Sequence, residues 1–487
     1  MTNAKIVVVG LDCATPELLL GDERLVHIRR LMAGGCFGRL ESVVPPITVP
    51  AWMCMATSQD PGSLGVYGFR NRVDHSYGGL AVATSASIRQ PSVWDQIAQQ
   101  GGRTNIVGVP PNYPPRPVNG VSVGCFLTPD TTRNRYASPA EAQGEIERLV
   151  GVYPVDVAGF RTHDKERLRR DIDALSRRQW TVARHLLRNT DWDYFQFVEI
   201  GLDRIQHGFW KCHDPQHVLH EPGNPYLHLV RDYYRRLDDE LGQLLDLLDD
   251  ETIVLVCSDH GARRLDGGFC VNEWLLRRRL LALDHEPSEV TPFSRLAIDW
   301  SRTKVWSEGG YYARVFINVR GREPQGTVAA RDYEAFRDEL KALLEATVDP
   351  EGNPLGTIVF KPEEIYRQVR GVAPDLIVHF GGLAWRSIGG VGYRTLHVRE
   401  NDTGPDDCNH AQYGAFVLSA PNFSARGERE GVHLLDMAPT LLELGGYDVP
   451  RAMQGRSLAT SSSRSWSNLN CRSSHSSRIS RISASIS

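Results

Sequence analysis

The feature that most restricts the fold is a recurring set of short apolar runs of strand length. They occur at Lys5–Gly10, Thr104–Val109, Tyr194–Ile200, Thr252–Cys257, Val315–Val319, Asp375–Phe380 and Gly414–Ala420. Most are near-continuous runs of Val, Ile, Leu and Phe rather than strict alternations, the pattern of strands covered on both faces. Amphipathic segments lie between them. Asn224–Asp250 carries Leu227, Val230, Tyr234, Leu237, Leu241 and Leu244 at helical spacing, with Arg and Asp opposite, and Lys165–Arg188 and Tyr333–Ala346 read similarly. Strands separated by helices imply right-handed crossovers, so the expected fold is α/β: a doubly wound, mostly parallel sheet flanked by helices. The stretch from about 285 to 374 interrupts this rhythm and is expected to be an insertion over one edge.

Composition narrows the class further. The 487 residues are 41% hydrophobic and 23% charged, the balance of a globular chain with a sizeable core. A formal net charge of −4 gives no basic field for nucleic acid. No uninterrupted apolar stretch of about 18 residues is present, so no membrane span is expected. The start runs from Met1 to Lys5 and then directly into Ile6-Val7-Val8-Val9, too short for a signal-peptide core; a cytoplasmic location is expected. The nine cysteines are scattered and contain no C-x-x-C pair, which points to buried free thiols. Residues 461–487 are dominated by Ser and Arg, with four Arg and no acid; residues 459–487 are therefore expected to form a disordered tail behind a domain spanning 1–458.

In doubly wound sheets ligands bind beyond the carboxyl ends of the strands, so the polar residues that end each strand carry the functional information. The first run ends in Gly10-Leu11-Asp12 and lacks the G-x-G-x-x-G of a dinucleotide site. The segment Pro45-Pro46-Ile47-Thr48-Val49-Pro50-Ala51-Trp52 reads as an extended approach to a helix, with Thr48 as N-cap and Pro50 in the first turn. Such a hydroxyl would stand at the positive end of a helix, where backbone N–H groups receive a phosphate. After Tyr194–Ile200 come Asp203 and His207, four apart and on one helix face. Ser258-Asp259-His260-Gly261 follows Thr252–Cys257, and Cys408-Asn409-His410 precedes Gly414–Ala420. These oxygen and nitrogen donors suit zinc, or manganese with more water retained, and with Thr48 they suggest a two-metal site around a nucleophilic hydroxyl. Trp52, Trp94 and Trp210 read as packing groups, and His75, His213, His217, His220, His228 and His433 as surface or structural residues.

The ordered set GLD, T-x-P-A-W, D-x-x-x-H-G, S-D-H-G and a late His resembles the alkaline phosphatase superfamily, nearest to type I phosphodiesterases and nucleotide pyrophosphatases of the predicted phosphohydrolase/phosphomutase branch. The segment Asp436–Gly445 resembles that family's final helix, and the likeness covers roughly residues 5–458. The resemblance implies an alkaline-phosphatase-like fold and two zinc ions. Asp203, His207 and His410 would hold one; Asp12, Asp259 and His260, with Thr48, would hold the other. It also implies a phospho-threonine intermediate on Thr48, a small phosphate-ester substrate, and cleavage of phosphodiester or pyrophosphate bonds.

Two departures stand out. The family's P-x-x-H-G is here Pro61-Gly62-Ser63-Leu64-Gly65, so Leu64 stands where relatives have His. The side chain that would grip the phosphoryl oxygens is open among Asn71, Arg70 and Arg72, with Asn71 preferred. A sulfatase would need Cys or Ser in C/S-x-P-x-R, and Thr48-Val49-Pro50-Ala51-Trp52 lacks both ends. A phosphotransferase or phosphomutase on the same scaffold is the alternative reaction, and a non-catalytic metal-binding protein the alternative class.

Overall fold

A computed structural model describes residues 3–459 except 422, 424 and 425. Six strands set the frame of its main sheet: β1 (Ile6–Leu11), β2 (Cys36–Glu41), β3 (Thr104–Val107), β4 (Tyr194–Glu199), β5 (Ile253–Cys257) and β6 (Tyr413–Ser419). Their spatial order is β2-β6-β5-β1-β4-β3, extended beyond β2 by Gly427–Glu428 and beyond β3 by Ser122–Val123 and Ala137–Ser138. β1 pairs in parallel with both β4 and β5, and β4 with β3. β6 is inserted antiparallel between β2 and β5. The mostly parallel sheet is thus an α/β layer of the alkaline-phosphatase type.

Why the strands read as unbroken apolar runs is visible in where alternate residues go. Val7, Val9 and Leu11 of β1 enter one core with Phe195 and Phe197 of β4 and Val254 and Val256 of β5. Ile6 and Val8 enter a second core on the other face with Tyr194, Val198, Ile253 and Leu255. Helices α2 (Lys165–Asn189), α3 (Gly201–His213) and α4 (Leu229–Leu245) cover the first face. Helices α1 (Thr48–Thr57) and α6 (Met437–Leu444) cover the second. With both faces covered, most positions are apolar and the few polar ones, such as Gln196 and Asn105, are hydrogen-bonded; each fully buried Val or Leu contributes about 1.5–3 kcal/mol. The helix expected from Asn224 begins at Leu229 instead, because the Asn224 carboxamide accepts from Tyr226 N–H at 2.9 Å and closes a turn.

Two of the apolar runs do not join this sheet, which corrects the expectation. Ala313–Ile317 and Leu376–His379 pair antiparallel in a separate four-stranded sheet with Val305–Glu308 and Ile358–Phe360. That sheet and helix α5 (Tyr333–Glu345) bury their own core, including Phe316, Leu340, Leu344, Leu376 and Phe380. A further small sheet joins Gly267–Cys270, Trp385–Ile388 and His397–Val398. The eight described cysteines are buried free thiols. No helix among the described residues is long and apolar enough to cross a membrane. The Ser/Arg-rich tail, beyond Ala459, lies outside the described residues.

Candidate active site

Parallel register gathers the chemistry. Leu11 lies opposite Glu199, and Gly10 opposite Cys257. Asp12, the start of α3 and Ser258-Asp259 therefore leave three adjacent strands at one rim, about 5 Å apart from strand to strand. β6 enters from the same rim, and just before it Cys408–Ala411 pairs with Gly261–Arg264, setting His410 opposite Ala262. β2 points the same way as β1 and leads through a short loop into α1 and Thr48.

All seven expected ligand and nucleophile residues are buried, and they meet here. Ligand atoms of Asp12, Asp259 and His260 lie within 4.8 Å of one another. Asp203 Oδ1 is 3.2 Å from His207 Nε2 and 3.9 Å from His410 Nε2. The two expected trios are not separate: Asp203, His260 and His410 also form one close group, and the His260 and His410 rings stack at 3.7 Å. Thr48 Oγ1 is 3.2 Å from His260 Nε2. Thr48 is not the N-cap. Ile47 holds that position, its carbonyl accepting from Ala51 N–H at 2.9 Å. Thr48 is the first helical residue, so its hydroxyl reaches across the site rather than capping the helix.

Each side chain is anchored through one polar atom and offers the other. Trp52 Nε1 donates to Asp12 Oδ2 at 2.8 Å, Arg204 donates to Asp203 Oδ2, and Cys13 N–H donates to Asp259 Oδ1 at 3.2 Å. His207 Nδ1 meets Asp406 Oδ1 at 2.6 Å, and His410 Nδ1 donates to Pro46 C=O at 2.8 Å. The remaining atoms, Asp12 Oδ1, Asp203 Oδ1, His207 Nε2 and Asp259 Oδ2, are buried with no hydrogen-bond partner. Unpaired buried carboxylate oxygens are costly, and a set of them converging with imidazole nitrogens fits a cation.

The electrostatics fit the same reading. Burial, then the charge of Asp203, pushes Asp12 well above the usual carboxylate range; burial and Asp12 do the same to Asp259. Burial opposes ionisation of Asp203 too, but His207 and Arg204 outweigh it and hold that carboxyl low. Burial alone would lower His207, yet Asp406 and other neighbouring anions carry it well above the ordinary value. Burial lowers His260 to about 4 and holds His410 well below its ordinary value, where the neighbouring imidazoles add to the effect.

Asn71 is not joined to the seven by a hydrogen bond. Its Oδ1 accepts from Tyr67 N–H at 2.7 Å and its Nδ2 donates to Gly68 C=O at 3.0 Å, so the carboxamide closes its own loop. Arg72 is turned toward the second sheet, over the Trp306 and Phe316 rings. Residues that motif reading missed form the surrounding layer. Trp52 packs as expected but also fixes Asp12. Asp406 orients His207 while accepting from Arg161 and Arg386. Tyr311, from the loop of the second sheet's first hairpin, stacks on His410 at 4.1 Å and accepts from Arg161 at 2.6 Å. Cys13 contributes a thiol beside Asp203. Only proximity in sequence to Asp12 and His410 marked Cys13 and Asp406.

Residues 6–406 match the family model described as type I phosphodiesterase / nucleotide pyrophosphatase. The chain belongs to this family. Type I phosphodiesterases and nucleotide pyrophosphatases are phosphoester hydrolases, and this member has the buried Asp/His/Cys cluster described above. No curated protein sequence matches it. Among solved structures it is similar to phosphonoacetate hydrolase from Sinorhizobium meliloti 1021 in complex with phosphonoformate, at 16% identity and a TM-score of 0.59 over 91% of this chain and 96% of that one. It is also similar to murine ectonucleotide pyrophosphatase / phosphodiesterase 5, at 13% identity and a TM-score of 0.52 over 92% and 96%. At these identities the likeness is one of fold.

Proposed function

We propose that this family member is a metal-dependent phosphohydrolase that cleaves phosphodiester or pyrophosphate bonds through Thr48. The observation that carries the proposal is the set of unpartnered buried carboxylate oxygens of Asp12, Asp203 and Asp259 that gather with His260, whose Nε2 is 3.2 Å from Thr48 Oγ1. Two divalent cations, zinc or else manganese, held by Asp203, His207 and His410 and by Asp12, Asp259, His260 and Thr48, would lower the pKa of that hydroxyl and neutralise the phosphoryl oxygens. Thr48 Oγ1 attacks phosphorus; a new P–O bond forms as the bond to the leaving oxygen breaks, and the hydroxyl proton passes to solvent. Water then cleaves the phospho-threonine ester, which restores Thr48 and releases the phosphorylated product. The first-turn N–H groups of Thr48 and Val49, ahead of the first helical bond, are donors for phosphoryl oxygens. Pro50 has no N–H to add. Asn71 remains the candidate for a side-chain donor to the same oxygens, after release from its loop bonds. An inactive threonine-to-alanine variant of murine ectonucleotide pyrophosphatase / phosphodiesterase 5, in complex with AMP, is in keeping with a threonine role on this fold.

Thr48→Ala should lower turnover of an aryl phosphodiester by at least about 10³-fold while metal content, read by elemental analysis, is kept. Full activity in that variant would refute the nucleophile. Running the same assay with an acceptor alcohol separates hydrolysis from transfer by the identity of the product.

A further inference from the structure

We propose that Cys13 supplies a thiolate ligand to the ion held by Asp203 and His207, biasing that position toward zinc and against manganese. The proposal rests on the metal-dependent reading above and deepens it. Cys13 Sγ, a carboxylate oxygen of Asp203 and a ring nitrogen of His207 lie within 4.8 Å of one another, all buried. Asp203 Oδ1 and His207 Nε2 are two of the atoms without a hydrogen-bond partner. The second nitrogen of His207 is engaged with Asp406, so Nε2 is the one that faces the group. The thiol itself makes only a 3.5 Å contact to Gly261 C=O. Its place follows from the end of β1. There the chain turns with φ 68 at Cys13, a left-handed conformation uncommon for a residue with a side chain.

The chemistry follows from the donor set. Imidazole and carboxylate ligands already favour zinc over manganese, and a thiolate, the softer donor, widens that preference. Binding replaces the Sγ–H bond by a sulfur–metal bond and releases one proton to solvent. Cys408 is a second buried thiol beside His207, so the test must tell the two apart.

Cobalt(II) is the probe. The full chain, stripped with a chelator and reloaded with cobalt, should show visible ligand-field bands and a near-ultraviolet thiolate-to-cobalt charge-transfer band. Cys13→Gly, which suits the positive φ and so keeps the fold, should lose the charge-transfer band and retain the ligand-field bands. Cys408→Ala should retain both. In competition, Cys13→Gly should lose at least about tenfold of the preference for zinc over manganese, a change that outer-shell substitutions already reach. Ligand-field bands with no charge-transfer band in the unaltered chain, or a charge-transfer band that survives in Cys13→Gly, would overturn the thiolate ligand alone. Absence of every cobalt band would sink the metal reading and the thiolate with it.

Discussion

His207 shows how a single side chain is prepared for the metal-binding role proposed for it. One nitrogen is held by Asp406, which in turn accepts from Arg161 Nε at 2.9 Å and Arg386 at 3.0 Å; the other is left open. Burial would raise the Asp406 carboxyl, but His207, Arg161 and Arg386 together hold it well below the usual range, so it is an anion throughout the neutral region. Asp406 is thus a positioning residue: it fixes which nitrogen of His207 carries the proton and which way the ring points. Asp406→Asn should weaken zinc binding about 10–100-fold, read by competition titration of the folded protein. Unchanged affinity would mean that Asp406 matters only for packing. The sequence held Asp203 and His207 in plain view through their i, i+4 spacing, but not Asp406. It is separated from His207 by 199 positions, and nothing local to either residue specifies the pairing.

At the scale of elements, the junction of β1 with α1 decides whether Asp12 and Thr48 meet. Trp52 stands one turn after Thr48 and brings an edge of its ring against Gly10, two residues before Asp12. A Cβ added at Gly10 would run into the Trp52 ring and into Val198. The glycine is required by close approach: helix and strand must come together for Trp52 Nε1 to reach Asp12. Gly10→Ala should destabilise the fold by about 1–3 kcal/mol, measured by denaturant unfolding. It should also lower activity beyond the loss of folded protein, because Trp52 and its bond to Asp12 must shift. An additive, purely thermal effect with normal specific activity would argue against that coupling. The strand–helix alternation was legible here, down to α2, α5 and α6. The N-cap assignment was not, because Thr48 and Ile47 differ in role only through the path by which the chain enters the helix.

The whole molecule carries a concentrated charge problem. Asp12, Asp203 and Asp259 converge in a buried cluster, and two of them are pushed well above the ordinary carboxylate range by burial first and by their neighbours' charge next. An acid whose folded pKa is raised binds protons more tightly folded than unfolded, so its ionisation costs stability as pH rises. A bound cation reverses that cost but must displace those protons, and the raised His207 must also lose one, whereas His260 and His410 are already neutral near pH 6–7. Zinc should therefore raise the melting temperature of chelator-treated protein, and by more at pH 7.5 than at pH 5.5. At a hundred times the dissociation constant the gain is about 2.7 kcal/mol. An equal shift at both pH values would contradict the displaced-proton account, and no shift at all would remove the metal. By itself, the sequence determined the α/β layers, the strand ends and the polar residues standing on them, because burial on both faces writes an unbroken apolar run and parallel crossovers send the carboxyl ends of β1, β4 and β5 to one rim. Tertiary structure alone decided that Ala313–Ile317 and Leu376–His379 form a second sheet and that Asp406, Trp52, Tyr311 and Cys13 pack around the clustered Asp and His residues. Apolar runs state that a strand is buried but not beside which neighbour, and the partners of a buried ligand are chosen by packing across hundreds of positions.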